Sequence, residues 1–495
     1  MSFNSIAFAI FLPIVFSLYW FIANKSLKAQ NILLLFTSYF FYGWWDWRLL
    51  LLLASLSFLN FYIGIKIDVC DLKKERKIWL ISGLILNLGI LSVFKYFNFF
   101  IDSFIDLVSL IGYTLPKTTT KIILPLGISF YVFLSLSYLL DIYKRTLKAN
   151  RNIIEVLVSL GFFPIILAGP IQRPSSLLPQ IAKKREFNYE QLIDGLRQIV
   201  WGLFTKVVIA DNLSVYADDI FHNYSNYTGS TLLLGAGFYA IQIYADFSGY
   251  SNMAIGTAKL FGFTLMKNFA YPYFSRDITE FWKRWHISLT SWFRDYLFFP
   301  ISFSVSWRIK TGKVLLIKTD LFIYIVASLI TWFLTGLWHG ANYTFIIWGM
   351  IHGLFLIIYR WQIKPRKRVF KKIGINNNNK VVVIIESMIT LFVVVIAWIF
   401  FRADNTRHAL DYIKIIFSGS LLSIPAFPNM MICLFITILV ILFIAVEWAG
   451  RKEQYATARI GVKLPVVARW AVYYILIFVI FFFAGSGQKF IYFQF

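Results

Sequence analysis

Tyr271-Pro272-Tyr273-Phe274-Ser275-Arg276-Asp277-Ile278-Thr279-Glu280-Phe281-Trp282-Lys283-Arg284-Trp285-His286 leads, through apolar sequence, to Thr335-Gly336-Leu337-Trp338-His339-Gly340-Ala341-Asn342 and then to Gly349-Met350-Ile351-His352-Gly353. The chain has 5 histidines, and three of them lie in this stretch beside Trp or Gly. A polar ring in such surroundings is costly to desolvate and needs a partner or a task. From Asp277 to Tyr296, Phe281, Trp285, Leu289 and Trp292 share one face at helical spacing, while Lys283, Arg284 and Arg294 lie elsewhere. That pattern is too charged to cross a bilayer and predicts an amphipathic helix at the cytoplasmic face of a membrane protein.

The rest of the chain fits that setting. Of 495 residues, 59% are hydrophobic and 15% charged, with a mean hydropathy of +0.69. A soluble domain is about a quarter charged, so the composition excludes that class and predicts an all-α polytopic membrane protein, one domain over 1–495 with its core motifs in 160–360. The net charge of +24 does not point to nucleic acid. The Lys and Arg residues sit in short loops between apolar runs, as the positive-inside rule expects, and no basic groove motif accompanies them. Cys70 and Cys433 provide neither a disulfide framework nor a metal site. His339 and His352 are not at the i, i+4 spacing of a helical zinc pair, so no metal is expected. No glycine-rich nucleotide loop is present either.

Apolar runs near Ile6–Ile22, Ile32–Trp45, Leu49–Ile65 and Ile78–Phe94 read as the first four spans. The first lacks a basic n-region and a cleavage site and is expected to be retained. Lys25 and Lys28 follow span one, and Lys73, Lys74, Arg76 and Lys77 follow span three. Those loops belong in the cytoplasm, which puts the N-terminus outside. Phe99–Ile111 is too short to span and reads as interfacial or re-entrant. A full span is expected over Ile122–Ile142. Ile153–Ile171, broken by Pro164 and Gly169-Pro170 and basic on both flanks, is expected to dip in and return, with its irregular backbone buried by protein. Leu192–Ile209 is mixed. Leu232–Ile255 is interrupted at Asp246-Phe247-Ser248-Gly249-Tyr250-Ser251, either a helix break capped by Asp246 and Ser248 or a functional site. Leu321–Leu337, Thr344–Tyr359, Val381–Phe401, Met430–Val446 and Ala468–Phe483 are further spans, with Lys364–Lys380 a basic cytoplasmic loop. The total is about 11 spans plus re-entrant and interfacial pieces.

Four blocks carry a resemblance to the membrane-bound O-acyltransferase family, in the branch of bacterial alginate O-acetylases and peptidoglycan O-acetyltransferases. They are Ala168-Gly169-Pro170-Ile171-Gln172-Arg173; Tyr244-Ala245-Asp246-Phe247-Ser248-Gly249-Tyr250-Ser251; Phe281-Trp282-Lys283-Arg284-Trp285-His286-Ile287-Ser288-Leu289 with Trp292-Phe293-Arg294-Asp295-Tyr296; and Gly336-Leu337-Trp338-His339-Gly340 with Trp348-Gly349 and His352-Gly353. The closing Phe490-Ile491-Tyr492-Phe493-Gln494-Phe495 is similar to the end of that branch.

The resemblance implies a helical bundle around a tunnel. An acyl thioester, acetyl-CoA, enters from the cytoplasm as a substrate rather than a bound cofactor, and a polysaccharide hydroxyl is acylated outside. His339 takes the catalytic position and His286 a second position facing the tunnel. Asp246, Ser248, Trp285, Arg294, Trp338 and His352 become candidate substrate-binding residues. A neutral imidazole suits the task, taking the proton of an attacking hydroxyl and returning it to the leaving thiolate. Arg276, Lys283, Arg284 and Arg294 are candidates for the coenzyme A phosphates, although positive-inside topology alone also accounts for them. The branch implies a bacterial plasma membrane, membrane lipid around the chain, and a separate extracytoplasmic SGNH-type acetyltransferase as partner. Two rivals remain. One is D-alanyl transfer to teichoic acid from a carrier-protein thioester. The other is a secondary transporter, against which stands the lack of a second copy of the Asp246 or His339 block.

Overall fold

In the computed structural model, residues 1–113, 124–309, 311–314, 316–459, 464–484, 488 and 490–491 are described. The start of the expected span at Ile122 and the closing residues Tyr492 to Phe495 lie outside them. The described chain is helical, apart from one two-residue ribbon pairing Lys313–Val314 with Ile317–Lys318. The helices are α1 (Ile6–Ser17), α2 (Leu27–Gly43), α3 (Trp47–Val69), α4 (Lys73–Ser109), α5 (Ile128–Tyr143), α6 (Ile153–Gly161), α7 (Pro174–Ile181), α8 (Tyr189–Leu203), α9 (Asp211–His222) and α10 (Gly229–Leu260). They continue as α11 (Ile278–Arg284), α12 (Ile287–Phe293), α13 (Phe299–Arg308), α14 (Thr319–His339), α15 (Tyr343–Lys372), α16 (Lys380–Arg402), α17 (Thr406–Ile416), α18 (Met430–Ala449) and α19 (Val466–Phe482).

Among the described residues, eight helical segments are long and apolar enough to cross a membrane, and Ile128–Tyr143 and Val466–Phe482 are shorter apolar helices. The protein is therefore an all-α, multi-pass membrane protein. The expected figure of about 11 spans differs from those eight because the runs in α2, α5 and α19 fold as helices of 17 residues or fewer and the 32-residue α10 is not among the eight, while Tyr189–His222, which reads as mixed, is one of them. Three expected breaks are absent. Phe99–Ile111 is no separate interfacial piece but the last part of α4, 37 residues long. Asp246 lies inside the unbroken 32-residue α10, its carboxylate occupied by the Lys206 ammonium and the Ile491 backbone amide rather than by a cap. The basic loop expected from Lys364 is helical to Lys372, with Pro365 inside α15. In the other direction, the single amphipathic helix expected over Asp277–Tyr296 is two. His286 adopts φ 40, a left-handed conformation that ends α11 and restarts the chain as α12.

The chain divides into two compact units, 1–200 with 250–266, and 201–249 with 267–495. In the first, α3, α4 and α5 pack together, and Asn60, Asn87, Ser57 and Tyr131 join in a buried network, with Asn87 Nδ2 donating to Asn60 Oδ1 at 2.8 Å. Apolar helices gain little from burial against each other in lipid, so such hydrogen bonds carry their association. Phe162 to Pro170 is irregular and wholly buried, as irregular backbone at membrane depth must be. The Phe163 amide within it is satisfied by Ser38, whose Oγ accepts from Phe163 N at 3.1 Å.

In the second unit the closest helix pair is α14 with α15. Glycine makes it possible. A Cβ on Gly349 would lie 2.3 Å from the Trp332 carbonyl oxygen, and one on Gly336 would lie 2.4 Å from that of Phe345. Asn342 turns the chain between them, its side chain accepting from Thr344 N at 3.0 Å. The result sets His339, at the end of α14, against the first turns of α15.

Candidate active site

The second unit holds all three histidines of the opening stretch, each almost fully buried: His286 is 1% exposed, His339 4% and His352 0%. Aromatic rings link them in a row. Trp338 lies 6.4 Å from the His286 ring centroid and 4.8 Å from that of His339. Trp348 lies 4.8 Å from His339 and 5.0 Å from His352. Phe401 closes the far side of His339 at 5.1 Å, and Trp282 and Trp332 flank His352. Such a box excludes water and strengthens any hydrogen bond formed inside it.

His286 has a defined protonation pattern. Its Nδ1 is 3.0 Å from Asn268 Oδ1. The same amide atom receives the Ser288 backbone N–H at 3.3 Å and the Ser288 hydroxyl at 2.9 Å. A backbone N–H can only donate, so that atom is the oxygen, and Nδ1 of His286 must carry the hydrogen. Neutral His286 therefore bears its lone pair on Nε2. Burial holds its pKa down to about 3, which keeps the ring neutral at physiological pH. In that tautomer Nε2 accepts a hydrogen bond and cannot donate one to a carbonyl.

The other expected site residues divide. Trp338 sits between the two histidines. Trp285 packs into the wall, 4.9 Å from Trp398 and 5.2 Å from Phe269. Asp246 is spoken for: its Oδ1 lies 2.6 Å from Lys206 Nζ, and its Oδ2 accepts from Ile491 N at 2.7 Å. Lys206 also pairs with Asp211 at 2.6 Å. Phe247, the next residue along α10, reaches His286 at 4.6 Å, and Ser248 is buried beside it. His352 is held by rings alone among the described residues, with no hydrogen-bond partner on either nitrogen.

A cavity of about 280 Å³ opens beneath this row, lined by Trp282, Lys283, Arg294, Thr331, Trp332 and Thr335 among others. Lys283 and Arg294 are exposed at its rim, where Arg294 also pairs with Asp295 at 2.8 Å. Thr335 is four residues before His339 on α14, so the cavity reaches to within one helical turn of that histidine. Of the remaining cations considered for phosphate, Arg276 is bound by Glu386 and by the Asn377 carbonyl, and Arg284 pairs with Glu280 at 2.5 Å. Asn268, which fixes the His286 tautomer, carried no signal in the sequence. Neither did Lys206, whose charge reads as part of a mixed helix.

The profile of the membrane-bound O-acyltransferase family matches residues 143–401. A Pseudomonas putida protein named "Probable alginate O-acetylase AlgI" is 36% identical over 93% of this chain and 89% of its own length. A Helicobacter pylori peptidoglycan O-acetyltransferase is 33% identical over 82% of this chain and 77% of its own. A Bacillus subtilis teichoic acid D-alanyltransferase is 29% identical over 49% of this chain and 60% of its own.

Proposed function

This chain belongs to the membrane-bound O-acyltransferase family and is an acyltransferase, and we propose that it moves an acetyl group from cytoplasmic acetyl-CoA to an extracytoplasmic polysaccharide with His339 as general base. The observation that carries this reading is the cavity with a cationic rim that ends one turn from a buried histidine. The rim cations Lys283 and Arg294 hold the phosphates of the donor. The thioester lies along Thr331 and Thr335, with its carbonyl carbon near His339. A hydroxyl of the acceptor gives its proton to His339 as its oxygen attacks that carbon. The tetrahedral intermediate collapses, the C–S bond breaks, and His339 returns the proton to the departing thiolate. His286, neutral and with Nε2 able only to accept, steers a hydroxyl or the His339 N–H rather than the carbonyl.

Acetyl transfer is favoured over D-alanyl transfer because the acetylating relatives align over most of the chain and the D-alanylating one over half. The polysaccharide is of the alginate or peptidoglycan kind, and the enzyme sits in the bacterial plasma membrane with its N-terminus outside, as one catalytic domain. The acceptor is served through an SGNH-type partner. The test is His339→Gln in membranes supplied with labelled acetyl-CoA. General-base loss lowers transfer by about 10²–10⁴-fold with the protein still present and its thermal midpoint unchanged. Persisting formation of base-labile acetyl ester at the wild-type rate would falsify the assignment.

A further inference from the structure

Glu447 is the one charged residue in α18, a strongly apolar helix long enough to cross a membrane. It is 5% exposed, and its Oε1 accepts from the Tyr244 hydroxyl at 2.8 Å. The reaction described above does not use it. A buried carboxylate in a membrane helix is retained only where something answers its charge. One donor leaves most of its acceptor capacity open.

Glu447 lines a cavity of about 410 Å³ bounded by Tyr244, Tyr271, Tyr273, Phe274 and Phe443 on one side and by aliphatic side chains on the other. Tyr271 is held at φ 55, outside the usual region for a side chain of its size. Its hydroxyl is buried and has no hydrogen-bond partner among the described residues. Tyr273 is fixed in place by donating to the Ala240 carbonyl at 2.5 Å. The cavity thus combines aromatic faces, a carboxylate and an unsatisfied hydroxyl, a set that suits a cation with N–H donors.

Positive charge stands outside the lining, beside the Tyr271 ring and, through Trp448, near the Phe274 ring. Lys267 Nζ lies 4.6 Å from the Tyr271 ring centroid and donates to the Glu453 carbonyl at 2.7 Å. The Arg451 guanidinium lies 4.0 Å over Trp448, whose ring meets Phe274 at 5.0 Å. Next to the cavity, α18 exposes Ile441 and Leu442, and α16 exposes Leu391. A negative group inside, two positive groups outside the lining and an apolar outer surface complement an ammonium, a phosphate and acyl chains in that order.

We propose that this cavity binds the head group of a phospholipid bearing a primary ammonium, with Glu447 and Tyr271 on the ammonium and Lys267 and Arg451 on the phosphate. A trimethylated head group has the same charge but no N–H to give, and is discriminated against.

The test uses the full chain reconstituted in vesicles of equal phosphatidylethanolamine, phosphatidylcholine and phosphatidylglycerol content, extracted gently, with the retained lipids counted by native mass spectrometry. Wild type retains the ethanolamine lipid over the choline lipid by about tenfold, the factor for one charge-assisted hydrogen bond. Glu447→Gln abolishes that preference. Tyr271→Phe removes only a hydroxyl and reduces it about threefold, so the test survives if the Gln variant does not fold. Equal retention of the two lipids by wild type, or a full preference surviving either substitution in folded protein, overturns the proposal.

Discussion

Gly349→Ala perturbs the candidate active site without touching it. The added methyl would meet the Trp332 carbonyl oxygen at 2.3 Å, against about 3.3 Å for an ordinary carbon–oxygen contact. The obstacle is backbone, so no rotamer change relieves it, and α15 must move about 1 Å away from α14. Overpacking of this kind costs about 1–3 kcal/mol, which a protein of this size survives. The displacement matters more. It lies one residue from Trp348, the ring that packs against both His339 and His352. A misplacement of about 1 Å in a reacting constellation is enough for about a hundredfold loss of rate. The expected result is folded, membrane-inserted protein with a lowered thermal midpoint and kcat down by about two orders of magnitude, measured by transfer of labelled acetyl to a sugar hydroxyl. Gly89→Ala on α4, where an added Cβ meets nothing within 4 Å, is the control: it keeps kcat and does not lower the midpoint, since alanine is the better helix former. Wild-type kcat in the Gly349 variant would show that close approach of α14 and α15 does not position His339.

The cavity rim and the buried histidine give two further tests. Lys283→Ala and Arg294→Ala each raise KM for acetyl-CoA by up to about fivefold with kcat unchanged, as loss of a solvent-exposed charge contact allows, and the effect shrinks as salt is added; a fall in kcat at constant KM would place these residues elsewhere in the reaction. His286 has a folded pKa of about 3 and an unfolded one of about 6.5. Between those values the unfolded chain binds the extra proton, so His286 contributes full stability above about pH 6.5 and loses it on acidification, by up to about 1.4 kcal/mol per pH unit. The thermal midpoint of wild type should therefore fall from about pH 6.5 downward, more steeply than that of His286→Asn, and parallel curves would refute the burial argument.

Much of this protein is legible in its sequence because a bilayer leaves few choices. Runs such as Val381–Phe401 and Met430–Val446 must be helices, since no other structure satisfies their backbone in hydrocarbon, and α16 and α18 fall where hydropathy places them. The motif blocks around His286 and His339 likewise suffice to identify the family that the relatives share. Helix continuity was less legible. Asp246 reads as a break because a lone aspartate in apolar sequence looks like a cap. Only the fold supplies Lys206, 40 residues away in sequence, to pair with it and let α10 run through. The opposite held at His286, where periodicity continues across a residue that tertiary contacts with Asn268 hold in a left-handed turn.

The class of molecule, the family and the three histidines can be read from the chain alone, because composition, spacing and local motif are one-dimensional properties. Which nitrogen of His286 holds the proton, which cations line the cavity below His339 and which groups surround Glu447 in its apolar helix emerge only in three dimensions. Each depends on groups brought within a few ångströms from distant parts of the chain, and hydrogen bonds and charges act only over that range in an apolar interior.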